Sequence, residues 1–193
     1  MIWTHWRETK ETYSQHGEDI LVSHILGQVD SFVEIGANDG VLFSNCYKFA
    51  KAGARGLCLE PSSKSFWKLR LNHLPHRRVK CLKLAASDSS KKLFLEEAGY
   101  ESVLSKVKPT FGEGLQKIQA VSMKDIWRKY PSFKNTDLLS IDVEGHENEV
   151  LKGAGKEPLD AKVIILESDK STEQEMLSMP CLSKHRVGFS NGI

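Results

Sequence analysis

Phe32-Val33-Glu34-Ile35-Gly36-Ala37-Asn38-Asp39-Gly40 is the stretch that decides the fold of this chain. Phe32, Val33 and Ile35 favour extended backbone and form a short apolar run, which predicts a buried strand. The run stops at Gly36 and Gly40, with Asn38 and Asp39 between them. Glycine lacks a Cβ, so the chain can turn sharply there and another group can approach the backbone. A strand that breaks into a glycine turn and then a helix is the ligand-binding corner of an open α/β sheet.

Working outward, apolar runs alternate with helical patterns. Upstream, Ser14 is positioned to cap a helix over Glu18–Leu26, with Glu18 and Asp19 in its first turn and Gly27 as its stop. Ile20, Leu21, His24 and Ile25 supply its apolar face. Downstream, helices are expected over Ser44–Ala52 and Lys64–Leu74, the latter using Phe66, Trp67, Leu69 and Leu71. Strands are expected at Gly56–Glu60 and Val79–Ala85. Lys92–Glu96 reads as an insertion strand that Ile118–Val121 could pair with, and 97–117 reads as a mobile loop. Ser122 caps the next helix, with Asp125 at the capping-box position. Two more strands, Leu138–Val143 and Lys162–Glu167, flank a helix from Glu147 that Gly153 and Gly155 end. Thr172–Met179 reads as a helix and Arg186–Phe189 as a last strand. The alternation predicts a doubly wound, mostly parallel α/β sheet with helices on both faces. One domain over 1–193 is expected: an N-terminal arm and helix (1–30), a core sheet (31–167) and a shortened C-terminal segment (168–193).

The totals fit a globular domain. The chain has 193 residues, 40% hydrophobic and 27% charged, with a net charge of +2. So small a charge argues against nucleic acid as a partner. No apolar run approaches the roughly 18 residues of a membrane span. Residues 1–7 lack the apolar centre of a secretion signal, which points to the cytoplasm. Cys46, Cys58, Cys81 and Cys181 show no CxxC spacing. Cys58 and Cys81 lie in apolar runs and read as small buried hydrophobes. The basic run His73–Lys83 precedes a strand and reads as a solvated face at the amino edge of the sheet.

Ligands of such sheets bind over the carboxyl ends of the strands. Those ends carry Glu34, Glu60, Asp88, Asp142, Glu144 and Glu167. Acids gathered at one rim repel one another and call for a cationic or hydroxyl-rich ligand. S-adenosylmethionine has both properties. Glu60 follows Gly40 at about the spacing of the acid that meets a ribose in dinucleotide folds, and Asp88 could accept from an adenine amino group. The dinucleotide pattern G-x-G-x-x-G is absent, because Asn38 stands at its middle glycine. An acid within the turn also disfavours a pyrophosphate, so an NAD-dependent oxidoreductase is the weaker reading.

Several stretches together resemble the FkbM-type family of S-adenosylmethionine-dependent methyltransferases. They are Ser14–Asp19, Val33–Gly40, Ser44-Asn45, Leu59-Glu60-Pro61, Ala86-Ser87-Asp88 and Ile141–Glu147. The resemblance implies a class I methyltransferase, Rossmann-like fold and O-methylation of a sugar or other small hydroxylated metabolite. It implies that Glu34, Gly36 and Gly40 line the methionine end of the cofactor, that Glu60 takes the ribose and Asp88 the adenine. The matching stretches also bring Gln15, Asn38, Ser44, Asn45, Pro61, Ser87 and Asp142 to the cofactor.

Asp142-Val143-Glu144-Gly145-His146-Glu147 is the catalytic candidate. Alternation puts Asp142 and Glu144 on one side of the strand. Methyl transfer to an alcohol needs alignment and removal of a proton, and His146 has the intrinsic pKa of a general base. His146 could instead simply begin the helix. Asp142, Glu144, His146 and Glu167 could also hold Mg²⁺ or Mn²⁺. Trp67 and Trp127 read as core, and the N-terminal arm with 97–117 as the source of substrate choice. The alternative to an enzyme is a non-catalytic binding or interaction module on the same fold, and a homo-oligomer is compatible with either.

Overall fold

The computed structural model describes residues 12–97, 105–167 and 170–185. Residues 1–11 of the expected N-terminal arm and the expected strand Arg186–Phe189 lie outside them. The first sheet is built from β1 (Ser31–Ile35), β2 (Arg55–Leu59), β3 (Val79–Leu82), β8 (Asn135–Ile141) and β9 (Asp160–Leu166), all parallel, in the order β3-β2-β1-β8-β9. The chain winds outward from β1 in one direction and then returns to its other side, so β1 and β8 flank the switch point where such sheets open a crevice. Ile35 pairs level with Leu59 and with Ile141. That register puts Gly36, Glu60 and Asp142, the next residues of three adjacent strands, at one height.

Alternation along the strands divides the core in two. Phe32, Cys58 and Leu138 face α1 (Glu18–Leu26), α2 (Tyr47–Lys51) and α3 (Ser63–Asn72), meeting Val22, Phe49, Phe66 and Leu69. Val33, Leu57 and Leu139 face α4 (Met123–Lys129), α5 (Glu147–Ala154) and α6 (Lys170–Leu177), meeting Met123, Ile126, Val150, Leu151 and Met176. The doubly wound α/β expectation holds. Cys46, Cys58 and Cys181 are buried thiols and Cys81 is half-buried; all four are free.

A second sheet, in the order β4-β7-β5-β6, stands beside the first. It comprises β4 (Ala85–Ser87), β5 (Lys91–Glu96), β6 (Lys106–Lys108) and β7 (Gln116–Ser122). The expected single strand Val79–Ala85 is in fact two. The backbone folds tightly at Lys83-Leu84, where Leu84 N–H donates to the Leu82 carbonyl at 3.0 Å, and this bend carries Ser87 and Asp88 onto the second sheet. The expected pairing with the insertion strand is present, since β5 and β7 run antiparallel. The segment 97–117, expected as a loop, contributes β6 and the start of β7.

Several local expectations are corrected. Ser14 is not the residue that caps α1; Gly17 is, in a left-handed conformation at φ 89°. The Ser14 hydroxyl still accepts from Asp19 N–H at 3.2 Å. Asp19, fully buried, accepts in turn from Thr12, Ser14 and the Tyr13 N–H, and so ties down the entering chain. The inward face of α1 is Asp19, Ile20 and Val22, while Leu21 and Ile25 are exposed. Trp67 is 60% exposed and not core; the Arg70 guanidinium lies over its ring. Gly153 lies inside α5, flush against the Ser87 carbonyl, and only Gly155 ends the helix. Ser122 does cap α4, accepting from Asp125 N–H at 3.1 Å. No helix among the described residues is long and apolar enough to cross a membrane.

Candidate active site

A cavity of about 230 Å³ opens over the carboxyl ends of β1, β2 and β8. Its polar wall includes Gln15, Glu34, Asn38, Ser44, Asn45 and Glu60. Gly36, Pro61, Asp142, Glu144, His146 and Glu167 also line it. The expected site residues Gly40, Ser87 and Asp88 do not. Gly40 is packed against Leu69 and His73 of the α3 region, where a Cβ would clash, so its role is helix packing. Asp88 is held in an ion pair with Lys91 on the second sheet. The bend after β3 is the reason: it removes both residues from the end of the first sheet.

Glu34 is buried, and its Oε1 accepts the Ser44 hydroxyl at 2.8 Å. Burial pushes its carboxyl up to about 7, against the pull of Ser44 and of backbone N–H groups at Asn45 and Cys46. The Ser44 hydroxyl also accepts from the N–H groups of Cys46 and Tyr47 at 3.2 and 2.9 Å. One serine thus starts α2 and fixes the acid. Glu60 behaves alike. Its Oε2 accepts from Asn38 N–H at 2.9 Å and its Oε1 from Ser62 N–H at 2.7 Å. Burial raises it to about 7. The Asn38 side-chain oxygen is buried and has no protein partner.

Asp142 lies beside Glu167, Glu144 and Glu147. Burial first, and then the Glu167 carboxylate, hold its carboxyl far above the ordinary range. The neutral form of Asp142 is thereby favoured, with the Glu167 side chain as its hydrogen-bonding neighbour. The turn that follows is closed by Glu147, whose Oε1 accepts from Val143 N–H at 3.2 Å and from Gly145 N–H at 3.0 Å. His146 is the residue before α5, as one reading expected, but its ring does not cap the helix. Its Nε2 lies 3.0 Å from the Ser87 hydroxyl. Burial lowers its pKa.

Three non-glycine residues among those described have left-handed backbone: Asn38 at φ 46°, Phe43 at 60° and Glu144 at 53°. All three line the cavity. Such conformations cost of order 1–3 kcal/mol each and cluster at functional sites. Among the described residues no three carboxylate, imidazole or thiol groups converge as a metal-binding set. The expected Mg²⁺ or Mn²⁺ quartet of Asp142, Glu144, His146 and Glu167 is thus not such a set, and His146 Nε2 turns to Ser87.

The sequence reading missed the apolar wall. Leu95 and Val107 reach the cavity from the second sheet, and Leu84 from the bend that leads into it. Their alternation within short strands was visible, but nothing local said which neighbour they face. It also missed Ser140, whose hydroxyl accepts from the Asn45 amide at 3.0 Å.

The methyltransferase FkbM domain family matches residues 34–180. This chain belongs to that family. A crystal structure of methyltransferase FkbM from Methylobacillus flagellatus KT is similar to this FkbM-family chain over 65% of its length, at 17% identity and a TM-score of 0.45. The chain spans 29% of the length of that protein. No curated protein matches it.

Proposed function

We propose that this FkbM-family chain transfers a methyl group from S-adenosylmethionine to a hydroxyl of a sugar or another small hydroxylated metabolite. The observation that carries the reading is the convergence of Glu34, Glu60 and Asp142 on one cavity whose described lining holds no Lys or Arg. Family membership supports methyl transfer, and the acceptor-rich wall favours a cationic, hydroxyl-bearing cofactor. Bound S-adenosylmethionine would supply an electrophilic methyl group on a sulfonium.

The chain's own groups fit that ligand. Glu34, half-titrated near neutral pH, can ionise against an ammonium. Each Glu60 oxygen has accepted one backbone N–H and keeps a lone pair for a vicinal diol. The Asn38 oxygen has no protein donor and faces the cavity, where a ligand group can supply one. Leu84, Leu95 and Val107 offer a dry face for a flat ring. His146, also in the lining, is biased by burial toward the neutral imidazole, the form that accepts a proton from an acceptor hydroxyl. Asp142, which lines the same cavity, can help position that hydroxyl.

The test has two steps. Calorimetry should show S-adenosylmethionine binding, and binding that NAD does not compete with. A screen of neutral sugars and other hydroxylated metabolites should then yield a product one methyl group heavier. Absence of heat with S-adenosylmethionine at millimolar concentration would overturn the reading in favour of a non-catalytic module.

A further inference from the structure

The geometry points to Ser87 and Asp88 as positioning residues for His146: Lys91, Asp88 and Ser87 form a chain that keeps the imidazole proton on Nε2 and leaves Nδ1 to take the acceptor's proton. This rests on His146 being the base in the reading above. It takes both residues away from the cofactor, where the family resemblance put them.

The argument is one of counting hydrogens. Ser87 ends β4 with 0% exposure. Its Oγ lies 2.9 Å from Asp88 Oδ1 and 3.0 Å from His146 Nε2. A hydroxyl has one hydrogen to give. Asp88 is held ionised, at about 2, chiefly by Lys91 and further by Ser87 and Ser89. An ionised carboxylate only accepts, so the Ser87 hydrogen goes to Asp88. The Ser87 oxygen then faces Nε2 as an acceptor, and Nε2 must carry the ring hydrogen. Burial favours the neutral ring, which has one N–H. Nδ1 is therefore the bare nitrogen.

The charges around the ring bear on its protonated form. On α5, Glu149 Oε2 stands 3.7 Å from Nδ1. That is too long for a hydrogen bond, but near enough to favour positive charge once a proton arrives. On the second sheet, Asp88 and Lys91 act in opposite directions. The backbone fixes the spacing. His146 immediately precedes α5, and Gly153 of the same helix is pressed on the Ser87 carbonyl with no room for a side chain. In the step itself the acceptor O–H bond would break and an N–H bond form at Nδ1, while the oxygen's electron pair makes the new O–C bond as the methyl C–S bond breaks and its pair leaves on sulfur as a neutral thioether. The imidazolium then returns its proton to solvent.

The direct readout is the tautomer, seen by ¹⁵N NMR of the ligand-free chain, with the His146 signals assigned by their loss in His146→Gln. The expected form is neutral with hydrogen on Nε2. Asp88→Ala, a change at a partly exposed residue, frees the Ser87 hydrogen to point at Nε2 and should move the ring hydrogen to Nδ1. Ser87→Ala should mix the two tautomers and lower kcat roughly 10- to 100-fold, with little change in the Kd for S-adenosylmethionine, and Ser87→Thr should recover most of the loss. Hydrogen on Nδ1 in the unaltered chain would overturn the proposal. So would weakened S-adenosylmethionine binding in Asp88→Ala with the tautomer unmoved. The tautomer needs no turnover to be read, so failure of the methyltransferase reading would show separately, as an unaltered chain that binds no S-adenosylmethionine.

Discussion

The carbonyl oxygen of Asp142 occupies the space that a side chain on Gly36 would need. Two adjacent strands meet there backbone to backbone, with Asp142 N–H donating to the Ile35 carbonyl at 3.0 Å. Gly36 is also left-handed, at φ 84°. Gly36→Ala should thus force β1 and β8 apart at the cavity floor and cost more than about 3 kcal/mol. Gly27→Ala is the control. Its φ is also positive, but nothing lies within 4 Å of the added Cβ, so about 1–2 kcal/mol is expected. Denaturant midpoints of the two variants measure the difference.

Glu34 and Glu60 make the fold sensitive to pH. Both are raised from 4.5 to about 7, mainly by burial. Below pH 4.5 each is protonated whether folded or unfolded, and the folded state bears no charge penalty. Between 4.5 and 7 the unfolded chain ionises first, so stability falls as pH rises, at ~1.4 kcal/mol per pH unit for each group. Above 7 both states are ionised and the loss levels off. The melting temperature of the ligand-free protein should therefore gain from these two acids on going from pH 8 to pH 6. S-adenosylmethionine affinity should move oppositely, weakening as Glu34 protonates below pH 7. Glu34→Gln should flatten the pH dependence of both. An unchanged slope would refute the assignment.

What could be read from the sequence follows from range. The doubly wound class and the two-faced core rest on local patterns at Phe32, Val33, Leu57 and Leu138, and the glycine corner marks where β1 ends. Those signals lie within a few residues. The order of the strands comes from pairings far apart in the chain. The bend at Lys83-Leu84 has no glycine or proline to announce it, so Ser87 and Asp88 were placed on the wrong sheet. Gly40 was read as a ligand contact because a glycine's motif does not tell whether a cofactor or a helix presses on it. Leu69 and Trp67 are both apolar and two positions apart on one helix; only the packing of β1 and β2 against that helix decides which goes inside.

That last pair gives a stability test. Leu69 has 0% exposure and Trp67 has 60%. Leu69→Ala opens a cavity beside Gly40 and should cost about 2–5 kcal/mol. Trp67→Ala removes a larger side chain yet loses mainly its stacking with Arg70, worth about 0.5–1 kcal/mol at an exposed site. Thermal or urea unfolding of both variants checks the order. A larger effect at Trp67 would mean that its face is covered in solution.

The charge of the cavity predicts which acceptors are refused. Five carboxyl-bearing residues line it, Glu34, Glu60, Asp142, Glu144 and Glu167, and no Lys or Arg is among the described lining. S-adenosylmethionine, whose sulfonium and ammonium are partly offset by its own carboxylate, would balance only part of that charge, chiefly at Glu34, and leave no positive charge for an anionic acceptor. One extra unit charge about 8 Å from an ionised carboxylate costs about 2 kcal/mol at an effective dielectric of 20. A neutral sugar should therefore exceed its own phosphate ester as acceptor by at least tenfold in kcat/KM. Added salt should narrow the gap for groups reached by solvent. Paired kinetics on one sugar and its phosphate, at low and high ionic strength, measure both effects. Equal or better turnover of the phosphate would mean that a cation outside the described residues completes the site.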